Sequence, residues 1–336
     1  MAQADEVLAF GVQTRDERAI LESAFAGRYP LRCLDVVLNE DTAPLADGYE
    51  VVSASVNADL SAPVLRRLDT GGTKAVCQRS TGFNNIDLDE AERLGLYIAR
   101  VDYYSPYSVA EFAWTLALGL DRNLPRATIR TRDFDFRLDG LLGRDVHGRT
   151  IGVIGTGKIG ESFARIAAGF GVTLLGWDAR PNPACEALGL TYVPLPDLLA
   201  ASDVISLHVP LLPETHHLID APALSTMKPD ALLINTSRGG LINSEALVKA
   251  LKEHRLGGVA LDVYEEEAGV FFYDRSHEVV ADDVLARLMT FPNVLVTSHQ
   301  AYFTRDAVEQ IVNTTLANVD AYYAGRRTAA TLVPRG

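Results

Sequence analysis

Cysteine, methionine and tryptophan are scarce in this sequence, and long runs of apolar residues are missing. The 336 residues include only 3 Cys, 3 Met and 2 Trp. Because Cys33, Cys77 and Cys185 are odd in number and widely spaced, they match neither a disulfide framework nor a metal site of closely spaced cysteines. The longest apolar run, near residues 109–120, is interrupted by Glu111 and is too short to span a bilayer. We therefore expect a cytoplasmic protein with no metal site and no transmembrane segment.

Basic residues are also in the minority. The chain has 31 Lys and Arg against 44 Asp and Glu, which gives a formal net charge of −13. This excess of negative charge repels the phosphates of nucleic acids and of anionic lipids, so neither nucleic acid nor membrane is an expected partner. The composition is otherwise that of a globular protein, with 48% hydrophobic and 22% charged residues, and the length suits two domains.

Short β-branched runs alternate with helical stretches along the whole chain. Parallel strands need crossover connections, which helices supply, so the alternation predicts an α/β fold. A first series of strands lies within residues 7–101, and a second begins at residue 150 and ends near residue 297. We expect two doubly wound parallel sheets with a boundary near Tyr103. Two long helical patterns, at residues 108–120 and 305–323, are predicted to join or dock the two halves.

A glycine-rich motif follows the first strand of the second series. In Gly155-Thr-Gly157-Lys158-Ile159-Gly160, the first glycine permits a tight turn, the second lets the backbone approach a pyrophosphate, and the third lets the helix pack closely on the strand. Asp178 ends the next strand 18 residues after Gly160, where an acidic residue binds the ribose 2′-hydroxyl of NAD. The pattern predicts an NAD site, although Arg180 favours NADP because it can neutralise a 2′-phosphate.

Polar residues stand at the predicted ends of five strands, where doubly wound sheets bind their ligands. They are Asp178, His208, Arg238, Asp262 and His299. An arginine can hold a carboxylate through two hydrogen bonds, and a histidine exchanges protons near neutral pH, so the set suits hydride transfer to a 2-oxo acid. A carboxylate beside His299 would stabilise its charged form, and Glu265, Glu266 and Glu267 are all candidates. Spacing does not choose among the three, and each Arg or His can equally be structural.

Four motifs in order resemble the D-isomer-specific 2-hydroxyacid dehydrogenase family along essentially the whole chain. They are VIGTGKIG at residues 153–160, NTSRG at 235–239, LDVYEEE at 261–267 and SHQA at 298–301. The resemblance implies a flavodoxin-like substrate domain from residues 1–102 and 300–331, a Rossmann NAD-binding domain from residues 103–299, and an active-site cleft between them. We interpret residues 332–336, LVPRG, as the remnant of an expression tag.

The resemblance also implies roles for individual residues. Arg238 would bind the substrate carboxylate, His299 would be the general acid/base, and Glu267 would be its partner. The implied cofactor-binding residues are Gly155, Gly157, Lys158, Ile159, Gly160, Asp178, His208, Val209, Pro210, Thr236, Ser237 and Asp262. The implied substrate-binding residues are Ser80, Thr81 and Gly82, through their N–H groups, and Tyr104 and Tyr302 around a small pocket. The helix at residues 108–120 would help to form a homodimer or a larger homo-oligomer.

Three segments, at residues 82–87, 104–106 and 269–276, are similar to the fermentative D-lactate dehydrogenases of this family. We therefore expect NADH-dependent reduction of pyruvate to D-lactate. Two departures from the family pattern bear on this expectation. The segment QRSTG at residues 78–82 makes Arg79 a candidate second cation for a bulkier or dicarboxylic acid. Phe112 stands where a polar residue is common in the family. Two alternatives remain: a dehydrogenase of larger 2-oxo acids, set by the room that Tyr104, Phe271 and Tyr302 leave, and a non-catalytic NAD-binding regulator.

Overall fold

Two compact units make up the part of the chain that the computed structural model describes, residues 5–267 and 269–333. The first unit runs to Ser105 and takes up the chain again from Phe303, and the second unit is Pro106–Tyr302. The second unit is therefore an insertion in the sequence of the first. Both boundaries lie three residues beyond the expected ones. A helix begins at Pro106, where a proline is tolerated because the first helical N–H needs no partner.

The first unit contains a six-stranded sheet with helices on both faces. Its strands run in the spatial order β13-β5-β4-β3-β1-β2, and all neighbours are parallel except β13 and β5. The strands are β1 (Val7–Ala9), β2 (Leu31–Cys33), β3 (Val51–Ala54), β4 (Ala75–Gln78), β5 (Tyr97–Ala99) and β13 (Thr331–Val333). The helices are α1 (Arg15–Phe25), α2 (Ala62–Thr70), α3 (Leu88–Leu94) and α12 (Arg305–Tyr323), with a 3₁₀ turn at Ala43–Ala46.

Strand β13 includes two of the residues, Leu332 and Val333, that were predicted to be a tag remnant, a prediction that the structure does not test. Thr331 and Val333 pair with Ala99 and Ile98 of β5, and the side chain of Val333 is buried in the core of the first unit. The sequence pattern missed this strand because its three residues are recognisable only through a partner that lies far away in the chain. Residues 334–336 lie outside the described residues.

The second unit contains a seven-stranded parallel sheet in the order β12-β11-β10-β9-β6-β7-β8, the doubly wound order that reverses beside β6. Its strands are β6 (Thr150–Ile154), β7 (Thr173–Trp177), β8 (Thr191–Tyr192), β9 (Val204–Leu207), β10 (Leu232–Asn235), β11 (Gly258–Leu261) and β12 (Val294–Val296). Its helices are α4 (Pro106–Asp121), α5 (Leu124–Arg132), α6 (Lys158–Ala168), α7 (Pro183–Glu186), α8 (Leu195–Ala201), α9 (Ala221–Thr226), α10 (Ser244–Lys252) and α11 (Asp283–Leu288), with a 3₁₀ turn at Gly239–Leu241.

Each sheet is buried on both faces, which explains the continuous apolar runs in its strands. In β10, Leu233 packs into one core while Leu232 and Ile234 pack into the core on the opposite face. The two long helices each pack within one unit. Helix α4 packs on α6, β10 and β11 of the second unit, and α12 packs on α1 and β4 of the first, while their role in joining the two halves stays a prediction. Among the described helices, none is both long and apolar enough to cross a membrane.

Candidate active site and cofactor site

The glycine-rich loop between β6 and α6 has the shape of a phosphate cradle. Gly155 has φ +93°, and a Cβ atom there would lie 2.6 Å from the carbonyl carbon of His208. A Cβ at Gly160 would lie 1.9 Å from the carbonyl oxygen of Gly155, so neither position accepts a side chain. At Gly157, the residue that caps α6, a Cβ would meet no atom within 4 Å. The loop is therefore packed closely from behind and open at Gly157, where the helix N–H groups can bind a pyrophosphate.

Asp178 follows β7 and is hydrogen-bonded to the same loop. Its Oδ2 accepts the N–H of Thr156 at 2.6 Å, and its Oδ1 accepts the N–H of Arg180 at 2.9 Å. Its Oδ2 also accepts the Thr156 hydroxyl at 3.2 Å, and since a carboxylate offers about four acceptor positions, about one remains for a ribose hydroxyl. Sequence reasoning missed the residues that hold Thr156: the Tyr192 hydroxyl donates to its Oγ1 at 2.7 Å, and the Asn182 amide donates to its carbonyl at 2.9 Å.

Two buried polar atoms at neighbouring strand ends lack partners among the described residues: the Nε2 of His208, after β9, and the Oγ1 of Thr236, after β10. Buried polar groups are ordinarily hydrogen-bonded, so unpartnered ones at a ligand-binding edge fit a cofactor. Burial lowers the pKa of His208 to about 3, so its imidazole is neutral at physiological pH. Ser237 fixes the same edge, because its hydroxyl donates to the carbonyl of Val209 at 2.6 Å. Pro210, the residue after Val209, is exposed.

The structure distinguishes the three candidate glutamates. Glu267 lies beside His299, with 2.8 Å between its Oε1 and the histidine Nδ1. Its Oε2 accepts the N–H of Tyr264 at 3.1 Å, so the backbone fixes the carboxylate. Glu265 pairs instead with His217, and Glu266 is exposed. The predicted pairing of Glu267 with His299 is therefore present in the described structure.

Asp262 holds the turn that presents His299. It is fully buried, and its carboxylate accepts the Thr297 hydroxyl at 2.5 Å and the N–H groups of Gln300 and Ala301 at 2.9 and 2.8 Å. Its carbonyl oxygen accepts the N–H of His299 at 2.7 Å. His299 itself has φ +56°, a left-handed conformation that is strained for a side chain of this kind. The structure thus gives Asp262 a role in fixing the histidine, and its predicted contact with the cofactor stays a prediction.

Arg238 stands on the turn after β10. The Asn235 amide donates to the carbonyl of Arg238 at 2.9 Å, and the Asn235 Oδ1 accepts the N–H of Ser237 at 3.0 Å, which fixes the turn. The guanidinium donates one hydrogen bond, from Nη1 to the carbonyl of Ser237 at 2.7 Å. No carboxylate in residues 5–267 or 269–333 forms an ion pair with it. Its remaining donors can bind an anion.

Within the first unit, the loop at residues 80–82 has occupied carbonyls and available N–H groups. The carbonyl oxygen of Ser80 accepts the N–H of Val101 at 3.0 Å, and the carbonyl oxygen of Gly82 accepts the Ser80 hydroxyl at 2.8 Å. The carbonyl of Thr81 accepts a hydrogen bond from the Arg100 guanidinium. Among the described residues, no acceptor takes the N–H of Thr81 or Gly82. Such a row of free N–H groups suits an anion.

Two neighbours of this loop differ from the expectation. The Gln78 amide donates to Ser80 Oγ at 2.6 Å and to the carbonyl of Gly82 at 2.9 Å, so Gln78 builds the loop. Arg79 is not a second substrate cation. Its side chain is 1% exposed and donates to Glu17 at 2.9 Å, to Ser53 Oγ at 2.9 Å and to the carbonyl of Phe10 at 2.7 Å. A guanidinium held in this way is structural.

The aromatic residue that contacts His299 is Phe272, not Phe271. Phe271 is buried in the core of the second unit, whereas the Phe272 ring lies 5.8 Å from the His299 ring at 37°. Phe271 therefore does not bound a substrate pocket, and Phe272 was missed because adjacent phenylalanines look alike in sequence. Tyr104, in the first unit, and Tyr302, in the second, are each half-buried, and their substrate contacts stay predictions.

Comparison with known proteins identifies the family. The NAD binding domain of the D-isomer specific 2-hydroxyacid dehydrogenases matches residues 114–301. The chain is 49% identical over 300 residues to a D-lactate dehydrogenase of Curvularia clavata, which covers 89% of this chain and 86% of that protein. The apo-structure of D-lactate dehydrogenase from Escherichia coli is 42% identical, with a TM-score of 0.89 and coverage of 98% and 100%. The pyruvate reductase of Chlamydomonas reinhardtii is 38% identical, with a TM-score of 0.92 and coverage of 96% and 98%.

The chain belongs to the D-isomer specific 2-hydroxyacid dehydrogenases. It is an NAD-dependent enzyme of that family, similar to the D-lactate dehydrogenases. The glycine cradle, Asp178 and the unpartnered atoms of His208 and Thr236 fit this cofactor.

Proposed function

We propose that this enzyme reduces pyruvate to D-lactate, with His299 as general acid, Glu267 as its partner and Arg238 as the binding group for the substrate carboxylate. The pairing of His299 Nδ1 with Glu267 Oε1 at 2.8 Å carries the proposal. Because Nδ1 is held by the carboxylate, Nε2 is the ring atom that can face a substrate. The names of two relatives, a D-lactate dehydrogenase and a pyruvate reductase, support this substrate.

His299 completes the reduction by moving one proton. When bound, NADH would supply the hydride for the carbonyl carbon of the 2-oxo acid. As the carbonyl oxygen gains negative charge, the Nε2–H of His299 protonates it, and the product is the 2-hydroxy acid. Glu267 stabilises the protonated imidazole before this transfer and fixes the orientation of the ring. In the oxidation direction, the same Nε2 accepts the hydroxyl proton.

Arg238 is proposed to hold the substrate through a two-point hydrogen bond to its carboxylate, which a planar guanidinium can provide. The N–H groups of Thr81 and Gly82, in the first unit, are proposed as further donors to the carboxylate. The proposed clamp and acid fix the carboxylate and the adjacent carbonyl of a 2-oxo acid. Tyr104 and Tyr302 are proposed to bound the space for its third carbon and thus to favour pyruvate.

The substrate is tested by NADH oxidation with pyruvate, oxaloacetate, glyoxylate, phenylpyruvate and 2-oxoisocaproate, followed by chiral analysis of the product. Fastest turnover of pyruvate, giving D-lactate, is the expected result. A preference for a larger acid would contradict pyruvate as the substrate but would leave the proposed mechanism unchanged. Absence of turnover with all five, despite NADH binding, would instead favour a non-catalytic regulator.

The catalytic role of His299 is tested with His299→Gln. We expect kcat to fall by about 10²–10⁴-fold, the usual contribution of a general acid, while NADH affinity stays unchanged. His254→Gln is a matched control, because His254 is exposed and has nearly the same backbone conformation, with φ +53° against +56°. Normal turnover in the His299 variant would refute the assignment.

We further propose that the enzyme is a homodimer or larger homo-oligomer of the cytoplasm. Helix α4 buries most of its apolar side chains within the second unit but exposes Tyr107, and its part in the interface stays a prediction. The segment from α5 to Leu142 also exposes large apolar side chains: Leu124, Ile129, Phe134, Phe136, Leu138 and Leu142. Such a patch is unusual on a monomer and is proposed to contact a second copy. Three free cysteines support a reducing compartment.

A further inference from the structure

A second carboxylate–histidine pair lies next to the proposed catalytic one. The Nε2 of His217 is hydrogen-bonded to the Oε1 of Glu265, two residues before Glu267. The Oε2 of Glu265 accepts the N–H of Ser244, the first residue of α10, at 3.2 Å. Burial raises the pKa of Glu265, but the hydrogen bonds from His217 and Ser244 together lower it by more. The net pKa is therefore below its usual value. Glu265 is thus an ionised acceptor held from two sides.

Asn243 determines which nitrogen of His217 carries the proton. Its Oδ1 caps α10 by accepting the N–H of Ala246 at 2.9 Å, so the atom at 3.3 Å from the Nδ1 of His217 is the donor Nδ2. Nδ1 must therefore accept, and the proton is on Nε2, where it is donated to Glu265. The backbone N–H of His217 also donates to the carbonyl of Gly240 at 2.8 Å.

His216, His217 and Glu265 together have the donor set of a metal site, and the two histidine rings stack at 3.9 Å. The hydrogen bond from Asn243 argues against a metal. A metal on Nε2 would move the proton of His217 to Nδ1, where it would face the N–H of Asn243. We therefore interpret His217 and Glu265 as a hydrogen-bonded pair.

The pair fixes the segment that carries Glu267. The backbone of Tyr264 and Glu265 passes so close to Gly239 that a Cβ there would lie 2.0 Å from the carbonyl carbon of Tyr264. Gly239 directly follows Arg238, and the N–H of Tyr264 binds Glu267. A shift of Glu265 would therefore displace both the carboxylate beside His299 and the turn of Arg238.

We propose that His217 and Glu265 are positioning residues that act on the reaction through Glu267. This inference rests on the proposed role of Glu267. Misplacement of catalytic groups by about 1 Å is enough to cost up to 10²-fold in rate. The glycine cradle and Asp178 lie at the ends of β6 and β7, away from the pair in the sheet order, so binding of the NADH pyrophosphate and ribose should be independent of the pair.

The first experiment compares His217→Leu, His217→Gln and the control His254→Leu, with the 2-oxo acid that is turned over fastest. His217 and His254 share the left-handed conformation, with φ +51° and +53°, so backbone strain is matched. We expect His217→Leu to lower kcat on the order of tenfold, with KM for NADH unchanged. Glutamine can place an N–H at Glu265 and should restore kcat to within about threefold. Equal loss in both variants, or no loss in either, would overturn the proposal.

The second experiment is a double-mutant cycle with Glu267→Gln. If His217 acts through Glu267, His217→Leu should lower kcat by less than about twofold once Glu267 is replaced. A full tenfold loss in that background would show independent action and overturn the inference. Wild-type kcat in Glu267→Gln alone would contradict the proposed function instead, so the two failures are distinguishable.

Discussion

Single residues of this enzyme adopt conformations that the surrounding structure must enforce. His299, Phe272 and His217 all have positive φ angles, each of which costs about 1–3 kcal/mol. At His299, the fully buried Asp262 offsets this cost by binding both sides of the turn. Residue type indicated the acid/base pair but left three glutamates open, and only the family resemblance pointed to Glu267. The choice depends on how the chain turns after β11, which spacing does not encode.

Replacing Arg238 by lysine should separate charge from geometry. A lysine keeps the positive charge but lacks the planar fork, so we expect KM for the 2-oxo acid to rise by about tenfold and kcat to fall. Steady-state kinetics with saturating NADH measures both. Arg255→Lys, at an exposed position, is the control. An unchanged KM would contradict carboxylate binding by Arg238.

The neutral imidazole of His208 should make the second unit less stable in acid. Burial lowers its folded-state pKa to about 3, whereas an unfolded histidine titrates near 6.5. Between these values the unfolded chain binds a proton that the folded chain does not. Stability therefore falls as the pH decreases, by about 1.4 kcal/mol per pH unit.

The free energy of unfolding is measured with urea at pH 6.5 and at pH 5.0. Between these pH values it should fall by about 2 kcal/mol more in the native apoenzyme than in His208→Gln. Tryptophan fluorescence reports on the second unit alone, because Trp114 and Trp177 both lie there. His254→Gln should behave as the native chain. Identical pH dependence in His208→Gln would show that His208 is protonated in the folded state.

At the scale of helices and strands, the local sequence pattern predicted the inner strands of the sheets better than the edge strand β13. The second series of strands was predicted to begin at residue 150 and to end near residue 297, and in the structure β6 begins at Thr150 and β12 ends at Val296. Strand β13 exists only through its pairing with β5. Features that depend on distant partners are the ones that local sequence does not reveal.

The loop between β6 and α6 should respond differently to alanine at its second and third glycines. Gly157→Ala meets no atom within 4 Å, so we expect a nearly unchanged melting temperature and an NADH affinity lowered by about tenfold or more. Gly160→Ala would place its Cβ 1.9 Å from a carbonyl oxygen and should destabilise the unit by several kcal/mol. Thermal melts and NADH titrations test both variants. Equal destabilisation by the two would contradict this geometry.

At the scale of the whole molecule, the exposed apolar segment sets the expected assembly. Phe134 is 84% exposed and Leu138 is 82% exposed. We expect the native enzyme to sediment as a dimer or larger assembly, and the double variant Phe134→Glu/Leu138→Glu to sediment as a monomer, because charges at a buried interface are costly. Val279→Glu, at a 94% exposed site elsewhere, is the control. A native monomer would contradict the proposed homo-oligomer.

The insertion of one unit into the other also fixes the order in which a newly synthesised chain can fold. The core of the first unit joins Val7 and Leu21 to Val312 and Val319 of α12. The ribosome makes these last residues only after all of the second unit, so the early strands must wait while the inserted unit can already form its own sheet. During this interval the first unit exposes apolar surface. Protection of that surface until α12 is made is therefore a requirement of biosynthesis.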